Sequence, residues 1–184
     1  MTMEFLSLLT AQNRRLFKLT LGLKGGQALL LESFTGHEGL STDFGFQLDL
    51  LSDDAGVKLK TAMGQSATIE IELATGSSRY INGHVLRFGS NGSDGGMCRY
   101  SALIGSWLSL LEQRFDSRIY QEQTVEQVVS EVFGRYEGIA KFQFRIDRSL
   151  KKYSYITQYR ESDRHFVMRL LEGEGLFFLF RAHR

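Results

Sequence analysis

Alternation with a period of two is the feature that most restricts this chain. Phe17, Leu19, Leu21 and Leu23 alternate with Lys18, Thr20, Gly22 and Lys24. Phe44, Phe46, Leu48 and Leu50 do the same around Gly45, Gln47 and Asp49, as do Ala67, Ile69, Ile71 and Leu73 around Thr68, Glu70 and Glu72. Successive side chains of a strand point to opposite faces, so each run predicts a strand with one buried face. Turn signals separate the runs. Gly25-Gly26 predicts a turn, with Ala28 to Leu31 as the returning strand. Phe34 to Ser41, punctuated by Gly36 and Gly39, reads as a bend. Ser52-Asp53-Asp54 predicts the cap of a short helical turn that holds Leu59 and Met63 and closes at Gly64. Gly76-Ser77-Ser78 predicts a turn before a strand from Arg79 to Phe88, and the polar Gly89 to Gly96 reads as a hairpin tip before a strand from Met97 to Ile104. The sum is about six or seven strands at hairpin spacing, which predicts an antiparallel barrel or sandwich. The 184 residues contain no proline, so glycine must make most of the turns.

The pattern changes after Gly105. Trp107, Leu108, Leu110 and Leu111 form a compact apolar patch. Thr124 and Gln127 match a capping box, and Val125, Val128, Val129, Val132 and Phe133 follow at helical spacing up to Gly134. Phe142, Phe144 and Ile146 alternate as a strand, and Tyr153, Tyr155, Thr157 and Tyr159 as another. Ser162 and Asp163 are good N-cap residues for a helix carrying Phe166, Val167, Leu170 and Leu171. Gly173 and Gly175 suit its exit, and Leu176 to Phe180 reads as a buried strand. The fold class expected is therefore α+β and mostly β. A barrel-like domain over residues 1–115 precedes a mixed helix-and-sheet domain over 116–184.

Composition narrows the function. Net charge is +1 and neither sign runs in blocks, which argues against a nucleic-acid binder driven by phosphate contacts. The single cysteine, Cys98, has no internal disulfide partner and reads as an inert strand residue. No run reaches the roughly 20 apolar residues of a spanning helix. The cluster Phe5, Leu6, Leu8 and Leu9 follows Glu4 rather than a basic stretch and lacks a cleavage pattern, so no signal peptide is read. His37, His84, His165 and His183 show no metal-ligand spacing with one another or with Cys98. The pairs Glu161/Asp163 and Glu172/Glu174 invite comparison with the carboxylates of a glycosidase, but helix capping and a solvated face account for them. Gly89 to Gly96 lacks the lysine and helix of a phosphate loop. No catalytic, cofactor or metal residue is assigned. Arg169 is expected to pair with Glu174 or Glu161.

One series of residues carries more than local structure. Gln158-Tyr159, Glu161-Ser162-Asp163, Phe166, Arg169-Leu170-Leu171, Glu174-Gly175, Phe178 and Phe180 stand in the order of a signature found in the spike proteins of type VI secretion, the valine-glycine repeat (VgrG) family. Upstream, Phe34, Gly36, Glu38, Leu40-Ser41, Phe44 and Phe46 resemble that family's opening motif. Gly83, Val85, Tyr100, Trp107 and Asp116-Ser117-Arg118-Ile119-Tyr120-Gln121 also fall in register. Two positions depart from it: Gly105-Ser106 stands where a proline usually precedes the tryptophan, and His84 where a small or apolar residue is commoner.

The resemblance implies a phage-tail hub-like fold and a mechanical role. It implies a homotrimer in the full-length protein, stacking beneath the tube protein Hcp, with a tip protein of PAAR repeats and effectors engaged through a region beyond this chain. It implies synthesis in the cytoplasm, export by the apparatus, no cofactor, and no stable membrane insertion. The residues it marks as structural are Gly36, Glu38, Trp107, Arg118, Gln158, Tyr159, Glu161, Ser162, Asp163, Arg169, Glu174 and Gly175. Ending at Arg184, the chain reads as a fragment whose second domain is incomplete, and this piece is expected to be a monomer or weak oligomer. Three alternatives stay open: a spike-associated cell-wall hydrolase, a ligand- or oligosaccharide-binding barrel, and a hub protein of a contractile phage tail.

Overall fold

The computed structural model describes residues 16–23, 29–94 and 96–182. The Phe5–Leu9 cluster, the Gly25-Gly26 turn and His183 lie outside them. The chain divides into two compact units. The first comprises residues 1–39, 43–106 and 180–184, and the second 40–42 and 107–179.

The first unit is one six-stranded sheet of β1 (Phe17–Leu21), β2 (Leu30–Gly39), β3 (Thr42–Ser52), β4 (Ser66–Glu72), β5 (Ser78–Asp94) and β6 (Met97–Gly105). Spatial order is β1-β4-β5-β6-β3-β2. The alternating residues fill its concave face: Leu19, Phe44, Phe46, Leu48, Leu50, Ala67, Ile69, Val85 and Ile104 are all buried. Register explains how they meet. Ile69 pairs with Ile81 and with Leu19, and Ile104 pairs with Val85 and Phe46. Irregularities in β5 between Val85 and Arg87 and between Ser90 and Ser93 sharpen the twist. The sheet curls until its two edge strands approach, with the rings of Phe17 and Phe34 edge-on at 5.2 Å. This is a half-barrel, and the mostly β, α+β class read from the sequence holds.

Several local expectations need correction. The strand after Gly25-Gly26 does not return beside β1. It becomes β2 at the far edge, while β1 pairs with β4, whose alternation supplies a matching apolar face. The Phe34–Ser41 bend is instead strand to Gly39, and only Leu40 and Ser41 turn, with Ser41 at φ 53°. The segment Gly89–Gly96 is strand as far as Asp94. The short helix α1 (Leu59–Ala62) takes no cap from Ser52-Asp53-Asp54: its N-cap is Lys58, without a side-chain bond. Ser52 and Asp54 instead accept from the amides of Asp54 and Gly56, closing a local turn. Ala62 and Val57 are the buried residues there, and Leu59 and Met63 are exposed.

The second unit opens with a 3-10 helix, Trp107–Gln113. Strands β7 (Phe115–Gln123) and β8 (Tyr153–Ser162) form an antiparallel ribbon. Helices α2 (Val125–Gly134) and α3 (Asp163–Gly173) follow β7 and β8 respectively. The capping box forms as expected: the Thr124 amide donates to Gln127 Oε1 at 2.9 Å and the Gln127 amide to Thr124 Oγ1 at 3.3 Å. Val128, Val129 and Val132 are fully buried, each contributing about 1.5–3 kcal/mol by leaving water. Helix α3 ends in a Schellman motif. The Leu176 amide donates to Leu171 O at 2.8 Å and the Gly175 amide to Glu172 O at 2.9 Å, with Gly175 at φ 65°.

Two predicted strands are absent here. Phe142–Ile146 belongs to no sheet, although Phe142 packs against Phe133 with centroids 4.9 Å apart. Leu176–Phe180 is likewise not a strand, and Phe177 and Leu179 are 68% and 52% exposed. Alternation supplies a face, but a strand also needs a neighbour for its amides.

Candidate functional site

The second unit gathers several of the marked residues around one buried acid. Asp163 opens α3, and its carboxylate is wholly buried. Gln158 Nε2 of β8, also buried, donates to Asp163 Oδ1 at 2.8 Å and to Glu161 O at 3.2 Å. Tyr136, just beyond α2, donates its hydroxyl to Asp163 Oδ2 at 2.8 Å. Arg114 Nε and Arg135 Nη1 stand 3.7 and 3.8 Å from the same group. Position at the positive end of α3 adds to these partners. Burial, then the hydrogen bond to Asp163, pushes the Tyr136 phenol well above its ordinary pKa. Arg135 also reaches Asp116 at 3.3 Å and donates to the Tyr120 hydroxyl at 2.6 Å. The Tyr120 ring stacks on Phe166 at 5.6 Å.

Ser162 rather than Asp163 is the cap, accepting from the His165 amide at 3.1 Å. Arg169 settles on Glu161, not Glu174: Nη2 lies 2.5 Å from Glu161 Oε1 and donates to Thr157 O at 3.1 Å. His165 Nδ1 is 2.7 Å from Glu161 Oε2. Burial works to raise the Glu161 pKa, but the bonds from Arg169 and His165 outweigh it and the net shift is downward. Glu174 accepts from the Tyr153 hydroxyl at 2.7 Å and pairs with Arg148 at 3.2 Å. Gly175 supplies the positive φ after it.

The remaining marked residues stand apart. Trp107 meets Phe133 edge-on at 4.7 Å. Arg118 lies 2.8 Å from Glu131 of α2. In the first unit, Glu38 pairs with Arg79, and a Cβ on Gly36 would fall 2.4 Å from Gly45 O.

The partners Arg114, Tyr136, Arg148 and Tyr153 carried no signal as site residues, since their positions follow from tertiary packing. The tyrosine alternation of β8 was legible, but its buried face was not. Ile156 and Gln158 point inward, whereas Tyr155 and Tyr159 are 71% and 66% exposed. Across the ribbon Tyr155 pairs with Gln121, Thr157 with Ile119 and Tyr159 with Ser117. Ile119 is 61% exposed and Phe115 66%. Among the described residues no group of His, Cys, Asp or Glu side chains is placed to hold a metal ion, and no helix is long and apolar enough to cross a membrane.

Comparison with known proteins places this arrangement. Residues 37–184 match the family model of the phage tail baseplate hub (GPD). The chain belongs to that family. The hub chain is 34% identical over 171 residues to the type VI secretion system spike protein VgrG1b of Pseudomonas aeruginosa, covering 93% of this chain and 23% of that protein. It is 27% identical to VgrG3 of Vibrio cholerae, covering 83% of this chain and 16% of that one. The VgrG resemblance read from the sequence thus holds, for a chain that spans a quarter or less of these relatives. Among solved structures, the E. coli c3393 protein matches at a TM-score of 0.79 and 27% identity, over 90% of this chain and 45% of that one. It is described as a component of the type VI secretion system with structural similarity to the T4 tail proteins gp27 and gp5. A 43 kDa tail protein of prophage MuSo2 from Shewanella oneidensis shares the fold, at a TM-score of 0.64 and 16% identity over 91% of this chain and 54% of that one.

Proposed function

We propose that the hub chain is a structural part of a type VI secretion spike, the piece that joins the tube to the puncturing needle and helps deliver effectors. The observation that carries this reading is the agreement in fold, over nine-tenths of the chain, with a secretion component itself similar to T4 tail proteins. In the full-length protein the chain forms a homotrimer beneath the Hcp tube, with PAAR-repeat tip and effectors held by other regions. It is made in the cytoplasm and leaves through the apparatus itself. Residues 1–115 serve as the tube domain and 116–184 as a second, α+β hub domain, and the marked residues serve to hold these domains in shape.

The reading includes no catalysis. Three of the four carboxylates that suggested a hydrolase are committed elsewhere: Glu161 to Arg169, Asp163 to Tyr136 and Gln158, and Glu174 to Arg148 and Tyr153. A hub in a contractile phage tail is the second reading, favoured by the match to a prophage tail protein. In-frame removal of this region from its gene separates the possibilities. Export of the tube protein into the medium is expected to cease while tube synthesis continues. Unchanged export overturns the secretion role, and peptidoglycan breakdown by the purified chain overturns the non-enzymatic one.

A further inference from the structure

Two of the chain's three asparagines precede a glycine, Asn82-Gly83 and Asn91-Gly92, and both dipeptides lie in β5. An asparagine before glycine is intrinsically reactive. The glycine amide nitrogen can attack the asparagine side-chain carbonyl carbon, and no Cβ on the glycine obstructs the approach. Reaction needs the two atoms aligned within roughly 3–3.5 Å, so the backbone must be able to turn. The fold treats the two dipeptides differently. Asn82 pairs with Thr68 and Gly83 with Ala67 in unbroken antiparallel register. Asn82 Nδ2 donates to Thr68 Oγ1 at 3.1 Å, and Gly83 is buried so closely that a Cβ would fall 2.6 Å from Gly105 O. Asn91 and Gly92 sit instead in an irregularity of the β5–β6 ladder. Ser90 pairs with Tyr100 and Ser93 with Cys98, which sets the two residues together against Arg99. Both are exposed, Gly92 has φ 93°, and a Cβ built on it meets no described atom within 4 Å. Ser101 Oγ donates to Asn91 Oδ1 at 3.3 Å, the oxygen on which negative charge gathers during the attack.

We propose that Asn91-Gly92 is a self-modifying site, and that Asn82-Gly83, the same dipeptide in the same strand, is protected by its pairing. The Gly92 nitrogen gives up its proton to water and bonds to Asn91 Cγ. The Cγ–Nδ2 bond then breaks, and Nδ2 leaves as ammonia with a proton taken from solvent. The product is a five-membered succinimide. Water adds to one of its two carbonyl carbons and opens the ring, leaving aspartate or isoaspartate at position 91. The balance is one water consumed and one ammonia released, with no change of oxidation state. Ser101 assists by holding its hydroxyl against the oxygen that becomes charged. One new carboxylate takes the formal net charge from +1 to zero. It arises beside Ser101, whose partner in β3 is Asp49, and opposite Arg99. Isoaspartate also lengthens the main chain by one carbon where the ladder is already interrupted. The folded chain therefore changes its charge with age at one place in the sheet.

The test ages the full 184-residue chain in mildly alkaline buffer, folded and, in parallel, in concentrated guanidinium chloride. Trypsin cuts after Arg79, Arg87 and Arg99, so the two asparagines fall in separate peptides, and conversion makes either one heavier in a mass spectrum. In the folded chain the Asn91 peptide should convert at least about tenfold faster than the Asn82 peptide, and in denaturant the two rates should converge. A smaller difference in the folded chain shows that pairing does not protect Asn82. A difference that persists in denaturant shows that flanking sequence, not the fold, sets the rates. Either result overturns the proposal. Ser101→Ala should slow conversion of Asn91 several-fold and leave Asn82 unchanged, with circular dichroism checking that the variant is folded; Ser101→Val, with the same expectation, substitutes if it is not. An Asn91 rate that ignores the loss of this hydroxyl overturns the part given to Ser101.

Discussion

The hydroxyl of Tyr136 donates to the carboxylate of Asp163 across 2.8 Å, and that carboxylate has no exposure to solvent. The phenol is thereby held in its protonated form, above its free value of 10.0. The folded chain binds this proton more tightly than the unfolded chain does. Its contribution is complete below about pH 10 and fades as pH rises beyond that value. The alkaline limb of a urea-stability profile should therefore be steep in the native chain and shallower in Tyr136→Phe. Tyr100 and Tyr153, also shifted upward, leave a residual slope in that variant.

Asp163→Ala should be far more damaging than Tyr136→Phe. It leaves Gln158, Tyr136 and two guanidinium groups facing an empty place, and breaking a buried charge pair costs roughly 3–5 kcal/mol. Chemical denaturation should show that loss in the midpoint, with Tyr136→Phe nearer 1 kcal/mol.

Glu161 gives the opposite pH response. Its pKa is depressed below the free value of 4.5, so its contribution is present above that pH and lost as pH falls through the folded value. Glu161→Gln should flatten the acid limb of thermal stability. The partner Arg169 is 46% exposed, so added salt should weaken the effect.

Gly36→Ala should destabilise the first unit by roughly 1–3 kcal/mol, because the new carbon meets Phe46 Cδ1 at 2.3 Å and Gly45 O at 2.4 Å. Gly89→Ala is the control. Its Cβ would meet only Ser101 Oγ at an ordinary 3.6 Å, and its melting temperature should stay near the native one.

Thr124→Ala removes half of the capping box and should cost about 1 kcal/mol. Thr124→Ser should retain most of it in the same urea titration.

These residues show why some of the molecule was readable beforehand. Helix α2 was, because its apolar spacing and its cap are both local in sequence. The half-barrel strands were, because alternation repeats at hairpin distance. Pairing was not: β1 joins β4 through contacts far apart in the chain, and nothing near Gly25 encodes that choice. Phe142–Ile146 has a strand's rhythm without a neighbouring strand. For β8 the rhythm was right but the buried face was not readable, since a buried Gln158 is recognisable only once Asp163 is seen beneath it. The signature exposed Gln158, Glu161 and Asp163 as a group, yet their partners at Arg114, Arg135 and Tyr136 had to come from the folded chain.

The sharing of one acid among several elements has a mechanical meaning. Strand β8, the residues after α2, the lead-in to β7 and the first turn of α3 all hold the same two oxygens. Pulling any of them away exposes the others to the full expense of an orphaned charge, so the second unit has no cheap half-open form. Under tension it should stay rigid up to a threshold and then give way at once, behaving as a brittle strut rather than a spring.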